Sequence, residues 1–258
     1  MAFSFKARWR LIKGGMYDAY TNMAIDEALA ILAEKNNTPT IRLSYCWKKP
    51  GGVSLGINQQ ISDINLNYCL AKKIPIVRRP TGGMALYHTH QDFTYCVLLP
   101  IQEKKYRIQE SYSMICQWIS NGLSALGIPV NLEHTSLSVQ GKKISGNAQT
   151  RTLGSLLQHG SVFYSLSLKH LTQIFQTPPK IFQEKTTCIK DFKSISVKDM
   201  HDAFERSFLE GKDFFEQDLE QEELDIVEKL LQTKYRTAEW NFNAGKKSKG
   251  SCHINALP

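Results

Sequence analysis

Apolar residues recur at helical spacing over residues 20–35, where Met23, Ala24, Ile25, Ala28, Leu29, Ile31 and Leu32 form one stripe. Asp26 and Glu27 fall on its polar side, so an amphipathic first helix is predicted. Short β-rich stretches follow at 41–47 and 53–57, separated by the Pro50-Gly51-Gly52 turn. A helix is expected over 66–73, then strands at 74–77, 84–88 and 93–99, the last running into Pro100. Helical spacing returns over 108–126 and stops at Gly127-Ile128-Pro129. Residues 137–139 and 143–148 predict a hairpin across Gln140-Gly141-Lys142, and 161–164 a further strand. Beyond it, 168–175, 197–209 and 221–231 read as helices. Strands and helices in mixed order, with hairpins and no internal repeat, indicate an α+β fold. Residues 244–258 are polar and rich in Gly, Lys and Ser, and a mobile tail is expected there.

Composition narrows the class. A chain of 258 residues with 42% hydrophobic content buries a full core, and its 22% of charged residues is ordinary for a globular protein. No apolar run is long enough to span a membrane, and the basic start lacks the apolar stretch of a secretory signal. The net charge of +8 raises nucleic-acid binding, but Lys and Arg are scattered, with Lys246, Lys247 and Lys249 crowding the end of the chain. Nucleic acid is therefore not expected as a partner; steering toward an acidic protein or an anionic ligand is. The six cysteines form no CxxC pair and no zinc-spaced cluster, so no metal site is expected and the chain reads as reduced and cytoplasmic. Cys46, Cys96 and Cys116 sit in apolar patterns, as inert core thiols do.

Three segments carry candidate chemistry. In Arg78-Arg79-Pro80-Thr81-Gly82-Gly83-Met84-Ala85-Leu86-Tyr87-His88, two arginines precede a Gly-Gly turn between strands. Glycines admit a phosphate or carboxylate to the backbone amides, and Arg offers a planar cationic fork. A plain hairpin with two surface arginines uses the same residues. In Gln140-Gly141-Lys142-Lys143-Ile144-Ser145-Gly146-Asn147-Ala148-Gln149, a lysine flanked by glycines is placed to neutralise a carbonyl or phosphate oxygen, or simply to decorate an exposed hairpin. Leu157-Gln158-His159-Gly160-Ser161 brings a histidine to a strand entrance, where a structural role is equally open.

In this order and at these separations, the three segments resemble the catalytic domain shared by lipoate–protein ligases, octanoyltransferases and, more distantly, biotin–protein ligases. Asn22-Met23-Ala24-Ile25-Asp26-Glu27-Ala28-Leu29 resembles the family's first helix. Val53-Ser54-Leu55-Gly56 with Gln59 resembles its LSxG strand, and Glu239-Trp240-Asn241-Phe242 its closing WN element. The resemblance implies a mixed β-sheet flanked by helices with a second, smaller sheet, spread over a catalytic domain of residues 1–243. It implies that Arg79, Gly82, Gly83, Met84, Ala85, Leu86, Tyr87 and His88 line an acyl or acyl-adenylate pocket. Gly146 and Ala148 would let the acyl chain pass close to the backbone, and His159 and Gly160 would complete the wall. Lys143 matches the family's essential lysine, which stabilises charge as the carrier lysine attacks.

Two chemistries share this domain. A ligase uses ATP and Mg²⁺ to activate lipoate as lipoyl-AMP; a transferase takes octanoate from acyl carrier protein through a cysteine thioester. The octanoyltransferases related to ligases carry that cysteine just ahead of the lysine, where this chain has Asn131-Leu132-Glu133-His134-Thr135-Ser136-Leu137-Ser138-Val139 and no cysteine. Cys188, in Thr186-Thr187-Cys188-Ile189, is the alternative nucleophile, though its context looks more like the ligases' TS(V/L) stretch. The expected function is therefore a lipoate–protein ligase, with the octanoyltransferase as the alternative. A catalytically silent binding relative stands third, motivated by Met84 and by Thr89-His90-Gln91-Asp92 in place of residues usual in ligases. Expected partners are the lipoyl domains of 2-oxoacid dehydrogenases or the glycine cleavage H protein. A separate accessory protein is a further candidate, because the chain runs only a short way past the WN element, where many ligases carry another domain. A monomer is expected.

Overall fold

The computed structural model describes residues 8–101, 107–133, 136–151 and 154–243. In chain order the strands are β1 (Trp9–Lys13), β2 (Met16–Tyr17), β3 (Thr40–Leu43), β4 (Cys46–Trp47), β5 (Gly52–Leu55), β6 (Ile76–Arg78), β7 (Leu86–His88), β8 (Phe93–Pro100), β9 (Asn131–Glu133), β10 (Ser136–Val139), β11 (Lys142–Thr150), β12 (Ser155–Val162) and β13 (Phe214–Glu216). The helices are α1 (Ala19–Asn36), α2 (Leu66–Ala71), α3 (Ile108–Ala125), α4 (Leu168–Phe175), α5 (Pro179–Lys185), α6 (Val197–Leu209) and α7 (Gln221–Leu230). Eight strands form one mixed sheet in the order β13-β1-β3-β8-β12-β11-β10-β9, and a smaller sheet runs β6-β5-β7 beside a short β2-β4 pair. The α+β class with a second, smaller sheet is thus observed.

The large sheet is covered on both faces, so every residue of β8 is buried and all but Thr94 are apolar or aromatic. Its alternate residues Phe93, Tyr95, Val97 and Leu99 face a core shared with Ile115, Ile119 and Leu123 of α3 and Met200, Phe204 and Phe208 of α6. Cys96 and Leu98 face the opposite core, with Met23, Ala24 and Ala28 of α1 and Val227 of α7. A third core under the small sheet gathers Val53, Leu55, Cys69, Ile76 and Ile174. No helix among the described residues is long and apolar enough to cross a membrane.

Several expectations are corrected. Helix α1 has no solvated Asp–Glu side: Asp26 and Glu27 are both buried. Each is held by a partner distant in sequence, Asp26 by Arg42 of β3 at 2.8 Å and Glu27 by Lys234 and the Tyr235 hydroxyl. Burial of a carboxylate is tolerable only with such pairing. The strand expected at 41–47 breaks at Ser44, whose φ is 57°. The strand expected at 84–88 shortens to β7, and the one expected at 161–164 is the end of β12, so His159 lies inside a strand rather than at its entrance. Beyond α7 the chain makes two wide helical turns, Leu231–Tyr235 and Glu239–Asn243, and the second carries the WN element. The tail expected at 244–258 lies outside the described residues.

Candidate active site

The segment from β6 to β7 crosses the end of β5, and one close approach sets its path. A Cβ on Gly56 would lie 1.8 Å from the Gly83 carbonyl oxygen, so only glycine lets the Gly82-Gly83 turn settle against β5. Gly83 itself has a φ of 93°. Gly56→Ala is therefore expected to push the turn off its seat and cost about 3 kcal/mol or more. A lowered thermal midpoint would bear this out.

Both arginines of the motif act as structural ties. The Arg79 Nε donates to Thr81 Oγ1 at 3.1 Å, Nη1 to the Ser54 carbonyl and hydroxyl at 2.9 and 3.2 Å, and Nη2 to the Gly82 and Met84 carbonyls at 2.6 and 2.9 Å. All five N–H donors of the guanidinium are engaged. Arg78 donates to the carbonyls of Gly56, Ile57 and Gln59 on one side and of Trp240 and Asn241 on the other. The Trp240 indole N–H returns a bond to the Arg78 carbonyl at 2.8 Å. The WN element is thereby strapped to β6, and the expected cationic fork is occupied with holding the loop.

Beside this loop lies a cavity of about 160 Å³. Its walls come from α1 (Met23), the β3–β4 segment (Tyr45, Trp47), β5 (Ser54), the loop and β7 (Arg79, Gly83, Met84, Ala85, Leu86, His88), β8 (Thr94), β11 (Lys143, Gly146, Asn147, Ala148) and β12 (His159, Gly160). Of the residues expected to line it, Gly82 and Tyr87 do not. Gly82 is exposed and turns its carbonyl to Arg79, while Tyr87 faces the opposite side of β7, with its hydroxyl donating to the Pro50 carbonyl. Alternation along β7 places Tyr87 away from Leu86 and His88.

The polar wall is a continuous network. Asp26 accepts from Arg42, the Tyr45 hydroxyl and His159 Nδ1, while His159 Nε2 meets Thr81 Oγ1 at 2.8 Å. A carboxylate only accepts, so Nδ1 of His159 carries a hydrogen. His88 lies flat on Trp47, with ring centroids 4.0 Å apart, and its Nε2 and Nδ1 meet the hydroxyls of Ser54 and Ser161 at 2.8 and 2.9 Å. Burial, then the Arg79 cation and His159, hold the His88 pKa well below the ordinary 6.5, so the ring is neutral at physiological pH. Among the described residues no carboxylate lines the cavity.

Lys143 stands where this cavity meets a second, larger one of about 440 Å³, which it shares with Met84, Ala85 and Leu86. Its ammonium has no hydrogen-bond or ion-pair partner among the described residues. The side chain is exposed, yet it stands in a groove rather than on a convex surface. Desolvation by the walls, and then the Arg79 cation, lower its pKa from the ordinary 10.5. Its backbone is fixed: the Lys143 carbonyl accepts from Thr187 N at 2.9 Å. Cys188 is the next residue, but it is 3% exposed, lines neither cavity, and burial beside Asp191 pushes its thiol up to about 11.

The cavity thus joins a hydrogen-bonded polar wall, in which Arg79 is fully engaged, to an apolar bore with the Lys143 ammonium at its mouth. A family model for the lipoyl protein ligase A/B catalytic domain matches residues 18–209. The chain belongs to this family. Octanoyltransferase LipM of Bacillus subtilis is 31% identical to it, across 92% of this chain and 99% of its own length. The LipM of Carboxydothermus hydrogenoformans is 32% identical, across 91% and 98%. Among solved structures, a bipartite lipoate protein ligase from Thermoplasma acidophilum, studied with its E2 lipoyl domain, superposes with a TM-score of 0.84 at 25% identity, over 95% of this chain and all of that one. A lipoate-protein ligase A bound with ATP gives 0.81 at 24% identity, over 93% and 99%, and shares the fold.

For this member of the family, sequence reasoning missed Met23, Tyr45, Trp47, Ser54, Thr94 and Asn147 among the lining residues. Asn147 sits inside the lysine motif, with its side-chain carbonyl accepting from the hydroxyls of Tyr95 and Ser145, both at 2.9 Å.

Proposed function

We propose that this chain transfers an octanoyl group from a thioester donor such as octanoyl acyl carrier protein to the side-chain amine of a lysine on a lipoyl carrier domain. The carriers are the lipoyl domains of 2-oxoacid dehydrogenases or the glycine cleavage H protein. The observation that carries the reading is Lys143, an unpaired cation among the described residues at the mouth of a cavity whose arginine, Arg79, is fully committed. Kinship with octanoyltransferases along nearly the whole chain supports transfer of an octanoyl group. With the acyl chain in the bore, the carbonyl oxygen meets the Lys143 ammonium. Negative charge that develops on that oxygen as the carrier amine attacks is stabilised there.

An ATP-dependent lipoate ligase is the second reading, favoured by the lack of a cysteine along the cavity. The residues present do not fit a metal-bound triphosphate well. Among the described residues the first cavity offers no carboxylate for Mg²⁺ and the second only Asp63, and Arg79 has no donor left for a phosphate. No step is therefore derived through ATP.

Intact mass of an apo lipoyl domain separates the readings. An octanoyl gain with octanoyl acyl carrier protein and no ATP is the expected result. A lipoyl gain only with lipoate, ATP and Mg²⁺ would replace the proposal with the ligase. Silence in both tubes would leave a binding-only relative, or an enzyme that needs an accessory protein.

A further inference from the structure

The cation that polarises the acyl carbonyl also opposes the approach of the acceptor. A free lysine side chain has a pKa of about 10.4, so the carrier's amine arrives as an ammonium. It meets like charge from Lys143 and from Arg79, whose own field already acts on Lys143. A route in needs negative charge to offset that repulsion. Among the described residues the first cavity has no carboxylate in its lining, and the second has one, Asp63.

The short 3-10 turn Ile61–Asp63 brings Asp63 to the wall of the second cavity. Gln59, the glutamine that follows the LSxG strand, orients it: Gln59 Nε2 donates to Asp63 Oδ2 at 3.2 Å. Gln59 is itself tied down, its Oε1 accepting from Gly56 N at 3.3 Å and its backbone carbonyl from Arg78 at 2.7 Å. The carboxylate therefore hangs from the same backbone that seats the Gly82-Gly83 turn. Gln59 is its sole hydrogen-bond partner among the described residues, and no cation pairs with it there. Asp63 stands apart from Lys143, whose pKa is lowered by burial and Arg79 with no carboxylate acting to raise it. Much of the remaining wall is apolar, with Leu86, Phe163, Leu171, Phe175 and Phe182. Apolar walls with one free carboxylate match a lysine arm, a four-carbon stem ending in a cation. A phosphate-bearing donor arm would instead be repelled by Asp63.

We propose that the second cavity is the entry channel of the acceptor lysine, and that Asp63 receives its ammonium before the amine passes on to the carbonyl at Lys143. The inference rests on the acylation of a carrier lysine proposed above and is independent of the donor. Asp63 is a positioning residue: it accepts hydrogen bonds from the ammonium and makes no bond to the acyl group. The amine sheds its proton to water as it leaves the carboxylate. Because a carboxylate favours the charged form of an amine, Asp63 contributes to capture of the carrier rather than to the attack.

The test is a double-mutant cycle in binding, with the full chain and an apo lipoyl domain, so that no turnover is needed. Asp63→Asn should weaken binding by about fivefold, as should replacing the domain's acceptor lysine with methionine. The two changes together should cost little more than either alone. Asp63→Glu keeps the charge and should retain most of the affinity. In turnover, Asp63→Asn should raise KM for the apo domain with kcat within about twofold of the parent. Losses that multiply independently in the cycle overturn the channel, as does a parent KM in Asp63→Asn or an Asp63→Glu no better than Asp63→Asn. Each of those results leaves carrier acylation in place, whereas a parent chain that neither binds nor acylates the apo domain overturns both.

Discussion

Lys143→Ala is expected to slow carrier acylation by about 10²–10³-fold, the range for losing one preorganised group that stabilises an oxyanion. The effect should fall on kcat more than on KM, because the cation is needed where charge develops rather than where the acyl chain is held. The fold should be untouched: the side chain is exposed and makes no ion pair or hydrogen bond among the described residues, and its backbone bond to Thr187 does not depend on side-chain identity. Lys143→Arg should retain part of the rate, since it keeps the charge but presents a larger planar group. The pH profile supplies a second readout. Rates should first rise with pH as the carrier amine loses its proton. They should then fall as Lys143 loses its own, and that limb lies below pH 10.5 because desolvation and the neighbouring Arg79 favour the neutral amine. Lys143→Arg should lack that alkaline fall, since a guanidinium stays charged. A Lys143→Ala protein with parent kcat would remove the lysine from the mechanism.

Much of the site was legible because its chemistry sits in short contiguous motifs. The 78–88 segment runs from β6 across the end of β5 to β7, and the 140–149 segment turns between the neighbouring strands β10 and β11, so proximity in sequence becomes proximity in space. What the sequence hid were partnerships across long separations. Arg78 and Arg79 look the same as phosphate ligands or as ties, and only the positions of Gly56, Ser54 and Asn241 show that every guanidinium nitrogen is already engaged. Asp26 and Glu27 read as a solvated helix face because their partners Arg42, His159 and Lys234 come from elements whose packing no local pattern reports. The edge strand β13 pairs in parallel with β1 across some two hundred residues, and its three residues carry too little alternation to be recognised.

The largest stability loss should follow Asp26→Ala. The carboxylate is fully buried at the centre of α1 and holds Arg42 at 2.8 Å, His159 at 3.0 Å and the Tyr45 hydroxyl at 3.2 Å. Arg42 is 1% exposed, and its guanidinium lies 3.6 Å from the centre of the Tyr45 ring. Removing the carboxylate leaves that cation buried with only Asn22 to accept from it, a situation that typically costs about 3–5 kcal/mol. Denaturant titration should show the midpoint falling with the slope unchanged, as a stability loss without a change in compactness requires. The double replacement Asp26→Leu with Arg42→Met should recover much of the loss, because the cost is the orphaned charge rather than the absence of the pair. Acylation should not recover with it. His159 would still lack the carboxylate that fixes its Nδ1 hydrogen, and through Thr81 that histidine is tied to Arg79 and the loop over the cavity. A double variant with both stability and transfer restored would show that the network serves the fold alone. Restored stability with slow transfer would show that one buried carboxylate supports the core and the wall of the active site together.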